Sequence, residues 1–261
     1  MKLTFFISHK AVIHLLVLLV PLATLMSFYT PSDFISEQKK SKRVQLAIAA
    51  KEKVIGKKLK SALISKNQLQ LLIVAYKESD TLEVYGKNFQ NDSYQKIASY
   101  RICARSGAPG PKQKQGDGQV PEGFYHIDRF NPYSNFYLSL GLNYPNLADQ
   151  RKNKSSNPGG DIFIHGSCVT IGCLPMTNDY IQEIYLMALY AKSNGQDKIP
   201  VYIFPFKMTA SNMKVYQEKY GKNKALISFW QHLKKGYDLF TTSQKELSFR
   251  VTKSGDYTFE P

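Results

Sequence analysis

The stretch IFIHGSCVTIGCLPM, residues 162–176, holds one of the chain's five histidines and two of its three cysteines. A strand-like apolar run ends in His165, and Cys173 follows eight positions later between Gly172 and Leu174. The nucleophilic form of cysteine is the thiolate, and a free thiol is mostly protonated near neutral pH. A catalytic cysteine therefore needs a base or a cation beside it. A histidine at the end of a strand is held rigidly enough to be that base. Backbone N–H groups at a turn entering a helix can point at one spot and stabilise an oxyanion. Gly172 allows close approach of a substrate and an unusual backbone conformation. Strand, histidine, short loop, Gly-Cys and helix thus supply a base, a nucleophile and donors in one connected segment.

Two other readings compete. The segment is a buried structural turn, or it is a metal site using His165, Cys168 and Cys173. Tetrahedral zinc accepts those atom types. The spacing matches no common paired ligand arrangement, however, and a fourth ligand would have to come from afar.

The elements that must position this segment are mostly strands before it and helices after it. LQLLIVAYK, TLEVYG and YQKIASYRIC read as strands separated by polar turns, followed by FYHID, NFYLSLGL and DIFIH. Between them runs a loop rich in Gly, Pro and Lys, SGAPGPKQKQGDGQVPEG, with Lys112 and Lys114 expected to be solvated. After the motif, TNDYIQEIYLMALYAKSNG carries Ile181, Ile184, Tyr185, Ala188 and Leu189 on one helical face. Thr177 or Asn178 would cap its start and Gly195 its end. IPVYIFPF is a further strand, and ALISFWQHLKKGY a helix with Leu226, Phe229, Trp230 and Leu233 on one stripe and Gly236 near its stop. His232 reads as a surface residue. His126, in FYHID, either lines a cleft or is a satisfied strand histidine. Tyr133, Tyr137 and Tyr144 either stack on substrate or pack in the core.

The chain has 261 residues, 43% apolar and 13% aromatic, enough for one packed core. Its net charge of +15 favours anionic partners. No zinc-finger, helix-turn-helix or RNA-recognition pattern accompanies the charge, so nucleic acid is not the expected partner. Residues 1–30 read as a signal peptide or N-terminal membrane anchor: Ala11 to Met26 is almost continuously apolar, flanked by Lys2 and Lys10 and broken by Pro21. Either form places the rest of the chain outside the cytoplasm. Residues 31–66 form a basic, partly helical linker, with Val44, Ala47, Ile48, Val54, Ile55 and Leu59 at roughly helical spacing. It would serve as a stalk or as an amphipathic helix leading into the main domain, 67–261. Three cysteines in an exported chain is an odd count, which flags a reactive thiol.

The residues IHGSCVTIGCLPMT resemble the active-site motif of the L,D-transpeptidase (YkuD-type) catalytic domain family, closest to its YafK-like branch, where HGxCxSIGCxxMT is typical. RICARSG and VPEGFYHI are similar to two upstream family strands, and MTNDYIQEIY, VYIFPFKMT and FWQHLKKGYD follow in the same order. The resemblance spans about Leu69 to Phe259. It implies an α+β, β-rich fold with flanking helices. It implies Cys173 as nucleophile, His165 as general base and a carbonyl of Gly166 or Ser167 orienting the imidazole. The N–H groups of Gly172 and Cys173 would be oxyanion donors, and Ser106, Gly166, Ser167 and Thr170 would contact substrate. That substrate would be a peptidoglycan stem peptide, attacked at the carbonyl of the L-centre of diaminopimelate to give a thioester. An amine or water then completes the reaction, with no cofactor and no metal.

The branch also points to hydrolysis that releases a wall-attached protein. A non-catalytic wall-binding protein is the remaining alternative. The chain would act in the cell envelope, with an N-terminal membrane contact. Family members usually carry a histidine where Ile171 stands and an arginine where Pro175 stands, and their loop from the histidine to the cysteine is longer. Cys103 and Cys168 are either a disulfide that leaves Cys173 free or two separate small buried residues.

Overall fold

The computed structural model describes residues 31–153 and 155–260. The segment read as a signal or anchor lies outside the described residues. Among the described residues no helix is long and apolar enough to cross a membrane. The chain begins with helices α1 (Pro31–Gln38) and α2 (Lys42–Ser61), then strands β1 (Leu69–Tyr76), β2 (Thr81–Asn88), β3 (Gln95–Arg101), β4 (Gly123–Asn131) and β5 (Ser139–Leu142). Helix α3 (Leu147–Lys152), β6 (Phe163–His165), β7 (Leu174–Pro175), α4 (Asn178–Ser193) and β8 (Ile199–Phe204) come next. Helices α5 (Ala210–Tyr220) and α6 (Lys224–Ser243) and a hairpin of β9 (Phe249–Val251) and β10 (Tyr257–Phe259) complete it.

Eight strands form one sheet in the order β3-β2-β1-β8-β4-β5-β6-β7. β1 pairs with β8 in parallel, as does β6 with β7, and the other neighbours are antiparallel. The continuous apolar run of β1 reflects burial on both faces. Leu69, Leu71, Ile73 and Ala75 face a core shared with α2 and α4. Leu72, Val74 and Tyr76 face a second core built by α6 and the terminal hairpin. The α+β fold expected from the sequence is what forms.

Of the two roles open to residues 31–66, α2 packs as an amphipathic helix. Val44, Ala47, Ile55 and Leu59 are buried in the core. Lys51 and Lys58 reach Glu183 of α4 at 3.2 and 2.5 Å, and the Tyr100 hydroxyl donates to the same carboxylate at 2.9 Å. Burial alone would raise the Glu183 pKa, but the bonds from Lys58 and Tyr100 outweigh it and hold the carboxyl below its usual value.

One sequence expectation changes, and one helix has no counterpart in the sequence reading. Gly236 does not stop α6, which runs on to Ser243. A Cβ at Gly236 would lie 2.5 Å from the Phe124 ring and 2.6 Å from that of Phe259, so glycine is there to let the helix lie against aromatic side chains. Helix α5 buries Met213 alone, so its sequence shows no apolar stripe.

A buried ion pair ties the two sides of the fold together. Lys77, just past β1, reaches Glu122, just before β4, at 2.9 Å, and both side chains are almost wholly buried. Lys77 Nζ also donates to the carbonyls of Gly110 and Val120, at 2.8 Å each. Glu122 accepts from Gly110 N at 2.6 Å and from the Trp230 indole of α6 at 2.9 Å. Removing one partner of such a pair strands a buried charge. Glu122→Ala is therefore expected to lower the unfolding free energy by about 3–5 kcal/mol in urea titrations followed by circular dichroism. A loss near that of an exposed pair, under about 1 kcal/mol, would show that Lys77 has no need of this carboxylate.

Candidate active site

His165 is the last residue of β6 and is 2% exposed. It pairs across the sheet with Ser139 of β5 on one side and Pro175 of β7 on the other. Its Nδ1 lies 2.6 Å from the carbonyl of Gly166, and Phe136 covers the ring at 4.7 Å between centroids. With Nδ1–H donating to that carbonyl, the lone pair is on Nε2. Burial pushes the His165 pKa below its ordinary 6.5, against the opposing pull of the Gly166 bond.

Cys173 immediately precedes β7. The parallel register sets Ile164 opposite Leu174 and His165 opposite Pro175. Carried one residue back, it sets Cys173 level with Phe163. Residues two apart on a strand share a face, so continuation of this alternation by one residue beyond β7 would put Cys173 on the face of His165. The Cys173 thiol is half-buried and free, and burial pushes its pKa above 9.0. Its Sγ lies 3.7 Å from the Asp161 carbonyl.

The intervening loop is held at nearly every residue. Gly166 is buried, donates to Leu138 O at 3.0 Å and gives its carbonyl to His165, so it is not open to substrate. Ser167 takes a positive φ of 66° and donates its N–H to the side chain of Asn178 at 3.0 Å. Cys168 is bridged to Cys103, 65 residues away. That bond decides the cysteine question and removes Cys168 from any metal ligand set. Thr170 Oγ1 accepts from the N–H groups of Gly172 at 3.2 Å and Cys173 at 2.8 Å, and donates to the Cys173 carbonyl at 2.9 Å. The two N–H groups read as open oxyanion donors therefore converge on a hydroxyl oxygen. Gly172 has φ +135°, and a Cβ there would meet the Gln119 carbonyl at 3.0 Å.

A small cleft of about 20 Å³, partly open to solvent, adjoins Cys173. Of the expected substrate contacts, Ser106 lines it, while Gly166, Ser167 and Thr170 do not. One wall is the segment after β3, where Arg105 forms a two-pronged bond with Asp80 at 2.9 Å for each prong. The neighbouring loop is not the solvated one that its composition suggests. Lys112 is buried and bonded to Asp117, whose carboxylate also accepts from Gln113, Lys114 and Gln119 N–H groups. His126 is half-buried in β4 and outside the pocket lining. Tyr144 is a core residue, Tyr137 packs under Arg43, and Tyr133 is exposed. Asn178 and Glu122, which shape the site, were not singled out in the sequence. The sequence offers Asn178 only as an alternative helix cap, and Thr177 fills that role by accepting from Tyr180 N.

The model of the L,D-transpeptidase catalytic domain, YkuD, matches residues 70–203. YafK of Escherichia coli strain K12, provisionally named an L,D-transpeptidase, is 39% identical over 200 residues, covering 74% of this chain and 77% of that protein. Among solved structures, the helical cell shape determining protein Pgp2 of Campylobacter jejuni is 19% identical, with a TM-score of 0.42 over 70% of this chain and 73% of that one. Bd1075 of Bdellovibrio bacteriovorus is 20% identical, with a TM-score of 0.40 over 72% and 76%. On the strength of the family match and the 39% identity, the chain belongs to the L,D-transpeptidase catalytic domain family, YkuD.

Proposed function

We propose that the protein is a cysteine-dependent enzyme of peptidoglycan stem peptides, with Cys173 as nucleophile and His165 as general base. The observation that carries this reading is the bond from His165 Nδ1 to Gly166 O, which leaves Nε2 as the proton acceptor on the face to which the strand alternation would bring Cys173. The Cys173 thiol gives its proton to Nε2 as sulfur attacks the carbonyl of the L-centre of diaminopimelate. The tetrahedral oxyanion takes the place of Thr170 Oγ1 as acceptor of the Gly172 and Cys173 N–H groups. Charged acceptors bond more strongly than neutral ones, which favours that exchange. Collapse breaks the amide bond, and the leaving amine takes the proton from His165. The remaining thioester is resolved by an acceptor amine or by water. The reaction needs the domain outside the cytoplasm, in keeping with the export segment read at residues 1–30.

Hydrolysis is the second reading, including release of a wall-attached protein from diaminopimelate. Ile171, 85% exposed, and Pro175 stand where relatives usually carry histidine and arginine. Pro175 is buried in β7, so the two polar groups that family members usually carry at these positions are absent, which favours water over a second stem as acceptor.

Cys173→Ala is expected to abolish turnover of defined muropeptides, and His165→Ala to slow it by about 10²–10⁴-fold. Full turnover by Cys173→Ala would leave a non-catalytic wall-binding protein as the better reading. Mixing a tetrapeptide stem with an amine acceptor, or supplying a stem linked through diaminopimelate to a short peptide, separates the two outcomes by product mass. Alkylation by iodoacetamide should add one group to the native protein and three after reduction and unfolding, because the Cys103–Cys168 bond protects the other two thiols.

The pH profile follows from the two shifts. His165 must be neutral to accept a proton, and its pKa lies below 6.5, so the acid limb of kcat/KM is expected below pH 6.5. Cys173 lies above 9.0, so the resting pair is thiol and neutral imidazole. An acid limb centred above 6.5 would contradict the lowered His165 pKa, and a thiolate–imidazolium pair would show itself instead by an alkaline limb below 9.0, where the imidazolium loses its proton.

A further inference from the structure

Helix α2 buries one side and leaves the other bare. Its single acid, Glu52, is half-buried and bonded to Lys66 and the Tyr190 hydroxyl. Three of its basic residues are also committed. Lys51 and Lys58 hold Glu183, and Arg43 donates to the carbonyls of Ser134 and Tyr137. Lys42, Lys53, Lys57 and Lys60 are exposed, and among the described residues their ammonium groups make no ion pair or hydrogen bond. Intervals of eleven, four and three residues separate them, which puts all four within roughly 60° of one another around the helix. Leu46 and Ala49 are exposed in the same row. The helix has 20 residues and is about 30 Å long, so the row is an extended strip of uncompensated positive charge with apolar side chains set into it. Just past its end Leu63 is 83% exposed.

The strip borders a second feature. An open cleft of about 330 Å³ lies between α2 and β3, and its charged lining residues are Lys57, Lys58 and Lys96. Lys58 and Lys96 face Glu183 and Glu83, while Lys57 is unpaired. Both features are fixed in place. Phe34 of α1 packs against Phe130 at 5.2 Å, and the buried side of α2 belongs to the core shared with α4. The strip is therefore the rigid outside of the helical layer on one face of the sheet, with α5, α6 and the terminal hairpin on the other.

We propose that this strip docks on the surface of an anionic phospholipid bilayer, with α2 lying along the headgroups and the cleft taking one lipid phosphate. The inference goes beyond the catalytic reading and does not depend on it. Shape favours a bilayer over a small anion, because a row as long as the helix suits a plane. Composition favours it over a soluble polyanion, because Leu46 and Leu63 are suited to the boundary below the headgroups while the lysine stems reach up to the phosphates. Position agrees, since only fifteen residues separate Met26, where the apolar run ends, from Lys42. With six lysines, α2 lies on a membrane and does not cross it.

The test is a lysine footprint of the full chain reconstituted with vesicles of phosphatidylcholine or of phosphatidylglycerol. Accessible amines are acetylated, and the rate at each lysine is read by mass spectrometry. Lys42, Lys53, Lys57 and Lys60 are expected to react about tenfold or more slowly on phosphatidylglycerol, and to recover in about 0.5 M salt. Lys214, Lys222 and Lys253, exposed on the other side of the sheet, should react alike on both. Combining Lys53→Gln, Lys57→Gln and Lys60→Gln should reduce the protection of Lys42 by about fivefold or more. These three side chains are exposed, and circular dichroism melting checks that the fold is kept. Equal rates for the four lysines on both lipids overturn the proposal. Slowing of every exposed lysine alike also overturns it, because that is adsorption of a basic protein without a face. Equal slowing by inorganic phosphate without vesicles would leave an anion seat in the cleft and no docking surface. Unchanged protection of Lys42 in the triple variant would assign the shielding to the segment before α1 and sink the strip as its cause.

Discussion

The backbone bond from Cys103 N–H to the Pro175 carbonyl joins the two ends of the sheet. Cys103 follows β3, the first strand in the sheet order, and Pro175 lies in β7, the last. The sheet must curl for those edges to meet, and Cys173 sits at the meeting point. β7 is only two residues long, and one of them is a proline with no N–H to offer. It is held by its neighbours: β6 on one flank, Cys103 on the other and the start of α4 beyond. The Cys103–Cys168 bond fastens the same seam through side chains. It also removes freedom from the loop that joins His165 to Cys173. Asn178 pins the start of that loop and Thr170 its end. The relative position of His165 and Cys173 is thus set by main chain and covalent bonds rather than by the two side chains themselves. Rigid support of this kind is what the proposed acyl transfer would require.

The charge around the site follows a different logic from the charge on the chain. Exposed lysines such as Lys42, Lys53, Lys57 and Lys60 of α2 supply part of the large positive net charge. Near the pocket the charges are buried or clamped, and they come as pairs: Lys77 with Glu122, Arg105 with Asp80, Lys112 with Asp117. Paired charges leave little net field to stabilise a thiolate or an imidazolium. Burial then decides both shifts, raising Cys173 and lowering His165. Both groups therefore rest uncharged near neutral pH.

Much of this was legible in the sequence because it is local. LQLLIVAYK is an unbroken apolar run because β1 is buried on both faces. Thr177 is followed three residues on by the N–H it caps. The Gly-Cys pair and its histidine lie within nine residues, and family resemblance supplied their roles. What could not be read depends on contacts between distant positions. Lys77 and Glu122 are 45 residues apart, and Arg105 and Asp80 are 25 apart. Neither pair has a spacing that marks it. Lys112 looked solvated because Gly, Pro and Lys surround it. Its burial comes from Asp117 folding the loop onto itself, a bond that composition does not reveal. Helix α5 and the β9–β10 hairpin escaped notice because one buries a single side chain fully and the other has strands of three residues.

The Thr170 hydroxyl shows how a short loop can be ready for chemistry at rest. Two N–H groups pointed at one spot without an acceptor would carry unmet bonding capacity, and the turn would relax away from that shape. Thr170 Oγ1 fills the spot with a neutral oxygen while its own proton goes to the Cys173 carbonyl. The turn keeps its shape, and Gly172 supplies the φ that brings its N–H round. A neutral acceptor holds those donors less tightly than an oxyanion does. The cost of keeping the donors in place is therefore met in the ground state by a group that a developing negative charge can outcompete.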